Sequence, residues 1–174
     1  PWDMENHRAP GGSSSGAGVS LHEGSAVIAF GTDTGGSVRV PASYTGNVGL
    51  KTTKDRWSTD GITILSTSFD TPGILAKSMT DIAFGFSAID PAARAAGLPM
   101  IAPRDVTGLK IGITRDYFWD YCQDDVGAVV ENAIEELVAA GATSLELPLP
   151  EAAASIQVWG EGAIVASVGY AFLQ

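Results

Sequence analysis

A glycine-rich turn between two apolar segments sets the strongest limit on how this chain folds. Residues 25–30 read Ser-Ala-Val-Ile-Ala-Phe, a short apolar run that suits a buried strand or the end of a small-residue helix. Residues 31–41 follow as Gly-Thr-Asp-Thr-Gly-Gly-Ser-Val-Arg-Val-Pro, and the proline restricts the backbone that comes next. The chain therefore turns sharply out of one element into another, and we place its chemistry in this turn.

Residues 1–25 are also rich in glycine and serine, with the run Pro-Gly-Gly-Ser-Ser-Ser-Gly at residues 10–16. This composition is typical of a flexible loop or turn, which we predict here. The chain begins Pro-Trp-Asp-Met, which reads as the middle of a loop, so we expect a truncated or processed chain.

The second half has a regular layout that predicts the fold class. A strand over residues 109–114, a helix over residues 126–140 and a strand over residues 144–147 form one βαβ unit. A further helix is predicted over residues 151–172 and another over residues 79–89, the latter opened by Ser78 or Thr80 and ended by Pro91. We predict an α/β fold with a twisted mixed sheet flanked by helices.

Composition excludes several classes of function. With 174 residues, 45% of them hydrophobic, the chain is long enough for one core, and we expect a single globular domain over residues 1–174. A net charge of −10 repels phosphate backbones, so we expect no direct nucleic-acid partner. The lone cysteine cannot form an internal disulfide, which favours a reducing cytoplasm, and with two histidines it makes no structural metal set, so no metal is expected. No apolar run approaches the roughly 20 residues that span a bilayer, so no membrane partner is expected.

Two other motifs fit the sequence less well. Residues 12–16 satisfy the G-x-S-x-G nucleophile elbow with Ser14 as nucleophile, but an elbow follows an apolar strand, whereas residues 5–10 read Glu-Asn-His-Arg-Ala-Pro. His22 also follows too closely in sequence to be the usual late histidine. The glycine loop has no G-x-G-x-x-G or G-K-[ST] pattern, which disfavours nucleotide binding. Cys122 lies among acidic residues, and we interpret it as structural.

The serine and glycine segments at residues 10–16 and 30–42 belong to one long pattern, which continues as Val-Gly-Leu-Lys at residues 48–51. Ser-Phe-Asp-Thr-Pro-Gly at residues 68–73 and Ala-Lys-Ser-Met-Thr-Asp at residues 76–81 extend it. Together these motifs resemble the signature region of the amidase signature family. The resemblance covers the middle of that family's catalytic domain.

The resemblance implies a mechanism with two serines and a neutral lysine, and no cofactor. Ser37 would be the nucleophile. Ser13 would be the bridging serine, in a cis peptide bond, and Ser14 is the alternative for that role.

The resemblance also implies an oxyanion hole of backbone amides, since side chains at the two glycines would block the approach of the oxyanion. The donors would be Thr34, Gly35, Gly36 and Ser37. Asp33 and Arg39, which flank this loop with opposite charge, would brace it from outside; the alternative is an ordinary exposed pair.

Three positions depart from the family pattern: Ser15, Asn47 and Thr52. No lysine precedes Lys51, whereas the family's catalytic lysine lies upstream of the first serine pair, and neither Lys51 nor Lys54 nor Lys77 matches its position. We therefore expect the lysine-bearing segment and a C-terminal segment to lie outside residues 1–174, and the isolated chain to be inactive.

The leading hypothesis is an amidohydrolase that cleaves a carboxamide through an acyl-serine intermediate. Its partners would be a small-molecule amide and the remaining segments of the parent chain, with a homo-oligomer also open. The second hypothesis is the A subunit of a tRNA-dependent amidotransferase. The third is a fragment or homologue that lacks the lysine and is not catalytic.

Overall fold

The computed structural model describes residues 7–97 and 104–160, which belong to two compact units. The strands of the first unit are β1 (Ile28–Asp33), β2 (Val48–Lys51) and β3 (Thr71–Ala76). Its helices are α1 (Ser15–His22), α2 (Arg39–Tyr44), α3 (Met79–Ile89) and α4 (Pro91–Ala96). The second unit contains β4 (Lys110–Ile113), α5 (Asp124–Ala139), β5 (Thr143–Glu146) and α6 (Glu151–Gly160).

The sheet of the first unit is antiparallel, with β3 between β1 and β2. Because successive side chains of a strand point to opposite faces of the sheet, neighbouring residues of β3 pack in different clusters of the core. Leu75 packs with Leu21 of α1 and with Val38 and Ala42 around α2. Ile74 and Ala76 pack instead with Ile82 of α3. The helices thus lie against the sheet in two groups, and α1 and α2 share one cluster.

Helix α1 corrects the loop predicted over residues 1–25. Glycine and serine have low helix propensity, but tertiary packing outweighs it here. Leu21 is fully buried, and a Cβ at Gly18 would lie 2.9 Å from Thr45 Oγ1 and 3.1 Å from Pro41 O. The small residues therefore let α1 pack closely against α2, and the loop prediction is wrong from Ser15 to His22.

The second unit has the predicted βαβ arrangement. Strands β4 and β5 pair in parallel, and α5 connects them. Helix α5 begins at Asp124 and is followed by Gly141, whose φ of +104° is the left-handed conformation that glycine favours at a helix end. The part of the last predicted helix beyond residue 160 lies outside the described residues.

Helix α3 has the predicted bounds, and its N-cap is Ser78, which accepts the amide of Asp81 at 3.1 Å. Pro91 ends α3 and also begins α4. The α/β class is confirmed: the described strands are antiparallel in the first unit and parallel in the second. Over residues 7–97 and 104–160, no helix has the length and apolar character needed to cross a bilayer.

Candidate active site

Ser37 lies on the loop of residues 34–38 between β1 and α2, which we call the serine loop. The residue that follows it, Val38, is fully buried and packs in the cluster with Leu75. Ser37 is half-buried. The burial of its neighbour therefore fixes the backbone of Ser37 between the sheet and α2.

Asp33, the last residue of β1, closes the serine loop with its carboxylate. Oδ1 accepts the amide of Gly36 at 2.8 Å, and Oδ2 accepts the amides of Val38 and Arg39 at 3.3 Å each. The Arg39 side chain also donates to this carboxylate, from Nε to Oδ2 and from Nη2 to Oδ1, each at 2.9 Å. The interpretation as an ordinary exposed pair is wrong, because the Asp33 side chain is 0% exposed.

The ion pair sets the charge state of both partners. Burial alone would raise the pKa of the Asp33 carboxyl, but hydrogen bonds from the Arg39 side chain and from the amides of Arg39 and Val38 outweigh it and hold the pKa below its usual value. The hydrogen bond to Asp33 raises the pKa of Arg39. Both groups are therefore charged near neutral pH.

The segment that carries Ser13 lies beside the serine loop. The amide of Ser14 donates to the carbonyl of Ser37 at 3.2 Å, and the peptide bond between Gly12 and Ser13 is cis. The side-chain hydroxyls of Ser13 and Ser37 form no hydrogen bond with each other among the described residues. The contact between the two segments is thus made by the backbone.

Ser13 and Ser14 have different surroundings. Ser14 packs on β1, since a Cβ placed at Gly31 would lie 2.5 Å from Ser14 Oγ and 2.9 Å from Ser14 Cβ. Ser13 is exposed. Of the two candidates for the bridging role, Ser13 is therefore the one open to a proton acceptor from outside the loop.

The four amides predicted for the oxyanion hole are not equivalent. Gly36 donates its N–H to Asp33, because a buried carboxylate needs hydrogen-bond donors. In the described part of the chain, the amides of Thr34, Gly35 and Ser37 have no hydrogen-bond partner. The amide of Gly36 is therefore already paired in this structure, and the use of Thr34, Gly35 and Ser37 as oxyanion donors stays a prediction.

Asp70 contacts the serine loop, and sequence reasoning did not single it out. Its Oδ1 accepts the hydroxyl of Thr34 at 2.5 Å, and its Oδ2 accepts the amides of Leu65 and Ser66 at 2.7 and 2.9 Å. Asp70 lies next to Thr34 because β1 pairs with β3, and this pairing ends with Asp33 opposite Thr71. The sequence alone does not give the register of the two strands, so it could not predict this contact.

Three lysine and histidine side chains of the first unit that could act as a general base are hydrogen-bonded to backbone carbonyls away from Ser13 and Ser37. Lys51 donates to the carbonyl of Thr52 at 2.8 Å, and Lys77 to that of His22 at 3.5 Å. The ring of His22 bonds to the carbonyl of Thr45. Across residues 7–97 and 104–160, no lysine or histidine is hydrogen-bonded to Ser13 or Ser37. The described residues therefore hold no general base in contact with either serine.

Each of the three departures from the family pattern forms a hydrogen bond. Ser15 Oγ donates to the carbonyl of Gly11 at 2.6 Å, and Thr52 Oγ1 donates to that of Pro72 at 3.3 Å. Asn47 Nδ2 donates to the carbonyl of Gly18 at 2.9 Å, which ties the turn before β2 to α1. Each of the three polar side chains thus has a hydrogen-bond partner, although Asn47 Oδ1 is buried without one among the described residues.

Comparison with known proteins identifies the family. A family model described as Amidase matches residues 1–171. The chain belongs to the amidase signature family. It is 48% identical over 173 residues to 2-amino-5-chloromuconic acid deaminase of Comamonas testosteroni, in an alignment that covers 99% of this chain and 37% of that protein.

Other members of the family are also similar. The A subunit of the glutamyl-tRNA(Gln) amidotransferase of Moorella thermoacetica is 42% identical over 159 residues, 86% of this chain and 32% of that protein. The structure of peptide amidase from Stenotrophomonas maltophilia matches with a TM-score of 0.70 and 33% identity, over 86% of this chain and 33% of that one. The chain therefore spans about a third of the length of these relatives.

Proposed function

We propose that the protein is an amidohydrolase that cleaves a carboxamide C–N bond through an acyl-serine intermediate on Ser37. The observation that carries this proposal is the arrangement of the serine loop. The buried carboxylate of Asp33 holds its backbone, and Ser14 N–H joins it to the Ser13 segment. A nucleophile on a rigid loop with unpaired amides beside it is suited to acyl transfer.

In the proposed reaction, Ser37 Oγ attacks the carbonyl carbon of the amide, and the new C–O bond places negative charge on the carbonyl oxygen. The amides of Thr34, Gly35 and Ser37 would stabilise that charge. Ser13 would carry the proton from Ser37 to the base and return it to the leaving nitrogen, so that ammonia or an amine departs. Water then hydrolyses the acyl-serine ester.

The proposed base is a neutral lysine, by resemblance to the family, from outside the described residues. A base must lie within about 3 Å of the proton it removes, directly or through one group. The exposed position of Ser13 supports access from that side. The reaction as proposed uses no metal or cofactor, and its partner is a small-molecule amide in the cytoplasm.

Two relatives extend the range of substrates to test. The Comamonas testosteroni protein is named as a deaminase of 2-amino-5-chloromuconic acid, so an amino-substituted dicarboxylic acid belongs beside simple amides. The Moorella thermoacetica relative is named as part of an amidotransferase, which makes that role the second candidate. Glutamine hydrolysis that depends on a co-purifying second protein would favour the second candidate over a free-standing hydrolase.

The test is steady-state kinetics of the full-length protein on aryl amides, fatty amides, glutamine and 2-amino-5-chloromuconic acid. Ser37→Ala should lower kcat by at least about 10⁴-fold, since it removes the nucleophile. Ser13→Ala should lower it by about 10²–10⁴-fold and leave measurable turnover, since it removes proton transfer only.

Ser43→Ala, which changes an exposed serine of α2, is the matched control and should behave as wild type. Turnover that survives Ser37→Ala at the wild-type rate would contradict the proposal. Equal and complete loss in Ser13→Ala and Ser37→Ala would contradict the division of roles between the two serines.

A further inference from the structure

Thr34 is the first residue after β1 and the first of the serine loop. Its hydroxyl donates to Asp70 Oδ1 at 2.5 Å. The antiparallel pairing of β1 with β3 ends at Asp33 opposite Thr71, so Thr34 and Asp70 are the next facing positions. A side-chain hydrogen bond therefore continues the contact between the two strands beyond their last backbone pair.

Asp70 is fixed independently of the serine loop. It is 6% exposed, and its Oδ2 accepts the amides of Leu65 and Ser66 at 2.7 and 2.9 Å. Its own amide donates to the carbonyl of Ser66 at 2.8 Å. Because these three bonds hold the residue, its other carboxylate oxygen is a fixed acceptor for the hydroxyl of Thr34.

The serine loop is thus held at both ends by buried carboxylates. Asp33 binds the amides of Gly36, Val38 and Arg39 at one end, and Asp70 binds the side chain of Thr34 at the other. Between these anchors lies Gly35, whose backbone has the conformational freedom of glycine. The hydrogen bond between the Thr34 hydroxyl and Asp70 restricts the backbone on that side of Gly35, and with it the directions of the Thr34 and Gly35 amides.

We infer that Thr34 is a positioning residue: its hydrogen bond to Asp70 holds the amides of Thr34 and Gly35 in the direction of the oxyanion. The inference rests on the proposed function and names a residue for that same site. Donors held in place in advance stabilise charge that develops only in the transition state. Loss of this hydrogen bond therefore lowers the rate of the chemical step and leaves ground-state binding unchanged.

The test compares Thr34→Val, which keeps the shape and removes the hydroxyl, with Thr34→Ser, which keeps the hydroxyl. The full-length proteins react with a fluorophosphonate probe, and the maximal inactivation rate kinact is separated from the binding constant KI. The control is Thr52→Val, which removes another threonine hydroxyl, the one that donates to Pro72 of β3 at 3.3 Å. All rates are measured well below the lowest melting midpoint, so that each variant is folded.

Thr34→Val should lower kinact by about 10–100-fold with KI unchanged, a smaller loss than deletion of an oxyanion donor because the amides remain. Thr34→Ser should restore kinact to within about threefold of wild type, and Thr52→Val should match wild type. If Thr34→Val has the same kinact as wild type, the inference about Thr34 is wrong and the proposed function stands. The same holds if kinact falls equally in Thr34→Val and Thr34→Ser. Failure of the probe to label wild-type Ser37 overturns the proposed function as well.

Discussion

At the scale of single residues, the carboxylate of Asp33 links the stability of the first unit to the geometry of the serine loop. It is fully buried, it pairs with Arg39, and it accepts three backbone amides. A buried charge is tolerated only where it is paired and hydrogen-bonded, and both conditions are met here. The same contacts that neutralise the charge also shape the loop that carries Ser37.

The lowered pKa of Asp33 predicts how this contribution depends on pH. A carboxyl whose folded pKa is below its unfolded value, near 3.8, stabilises the fold above that value and loses the effect as pH falls through the folded pKa. Asp33→Asn should therefore lower the free energy of unfolding by about 1–3 kcal/mol at neutral pH. The difference from wild type should shrink as the pH falls below the unfolded value and through the lowered folded pKa of Asp33.

Denaturant unfolding of both proteins across this pH range checks the prediction, with Asp60→Asn as the control for an exposed aspartate. The control should show little difference from wild type at any pH. A deficit in Asp33→Asn that stays constant from neutral to acid pH would show that the carboxylate charge is not the source of the stability.

The residues that lie around the serine loop could be named from sequence where a motif carried them, and their roles stay predictions. Ser37, Ser13 and the Asp33 and Arg39 pair come from the resemblance, and the described contacts bring their segments together. The hydrogen bond from the Gly36 amide to Asp33 could not be predicted from sequence, because it depends on the folded shape of the loop. The contact of Asp70 with Thr34 could not be predicted for a related reason. The two residues are 36 positions apart in sequence, and the register of their strands brings them together.

At the scale of elements, the Ser13 segment and the serine loop meet because β1 carries a glycine where Ser14 packs. Gly31 lies on β1 opposite Gly73 of β3, and a Cβ at Gly31 would lie 2.5 Å from Ser14 Oγ and 3.2 Å from Val38 Cγ2. Contacts shorter than 3 Å force either the backbone or the neighbouring side chain to move. The approach of the Ser13 segment to the serine loop thus depends on the missing side chain.

Gly31→Ala should push Ser14 away from β1 and separate the two serine segments. We expect a loss of about 1–3 kcal/mol in the free energy of unfolding, as for other overpacked sites, together with a large fall in kcat. Gly16→Ala is the matched control, since nothing lies within 4 Å of that Cβ position in α1 and alanine favours a helix. Denaturant unfolding and kinetics check both variants, and wild-type activity in Gly31→Ala would contradict the packing argument.

Elements with a clear pattern were predicted well, and those without one were not. Helix α3 has a serine cap and a following proline, and its bounds agree with the prediction. The βαβ unit has periodic apolar residues and a terminal glycine, and its prediction is also confirmed. Helix α1 has neither pattern, and it forms through its packing against α2 and β1, which its local sequence does not encode.

At the scale of the whole molecule, membership of the amidase signature family and the α/β fold are established, whereas the reaction is our proposal. The chain spans about a third of the length of its relatives, and the described residues bring no base to Ser37. The central claim is therefore the identity of the nucleophile. It separates the proposed amidase mechanism from the elbow alternative, in which Ser14 would attack.

The most direct test is to label the full-length protein with a fluorophosphonate and locate the adduct by mass spectrometry of its peptides. We predict a single adduct on Ser37, lost in Ser37→Ala and retained in Ser43→Ala. The reason is that Ser37 lies on a loop held by Asp33, beside amides that have no hydrogen-bond partner among the described residues and that we propose stabilise the transition state. An adduct on Ser13 or Ser14 in the wild-type protein would contradict the assignment of Ser37 as the nucleophile, and an adduct on Ser14 would favour the elbow.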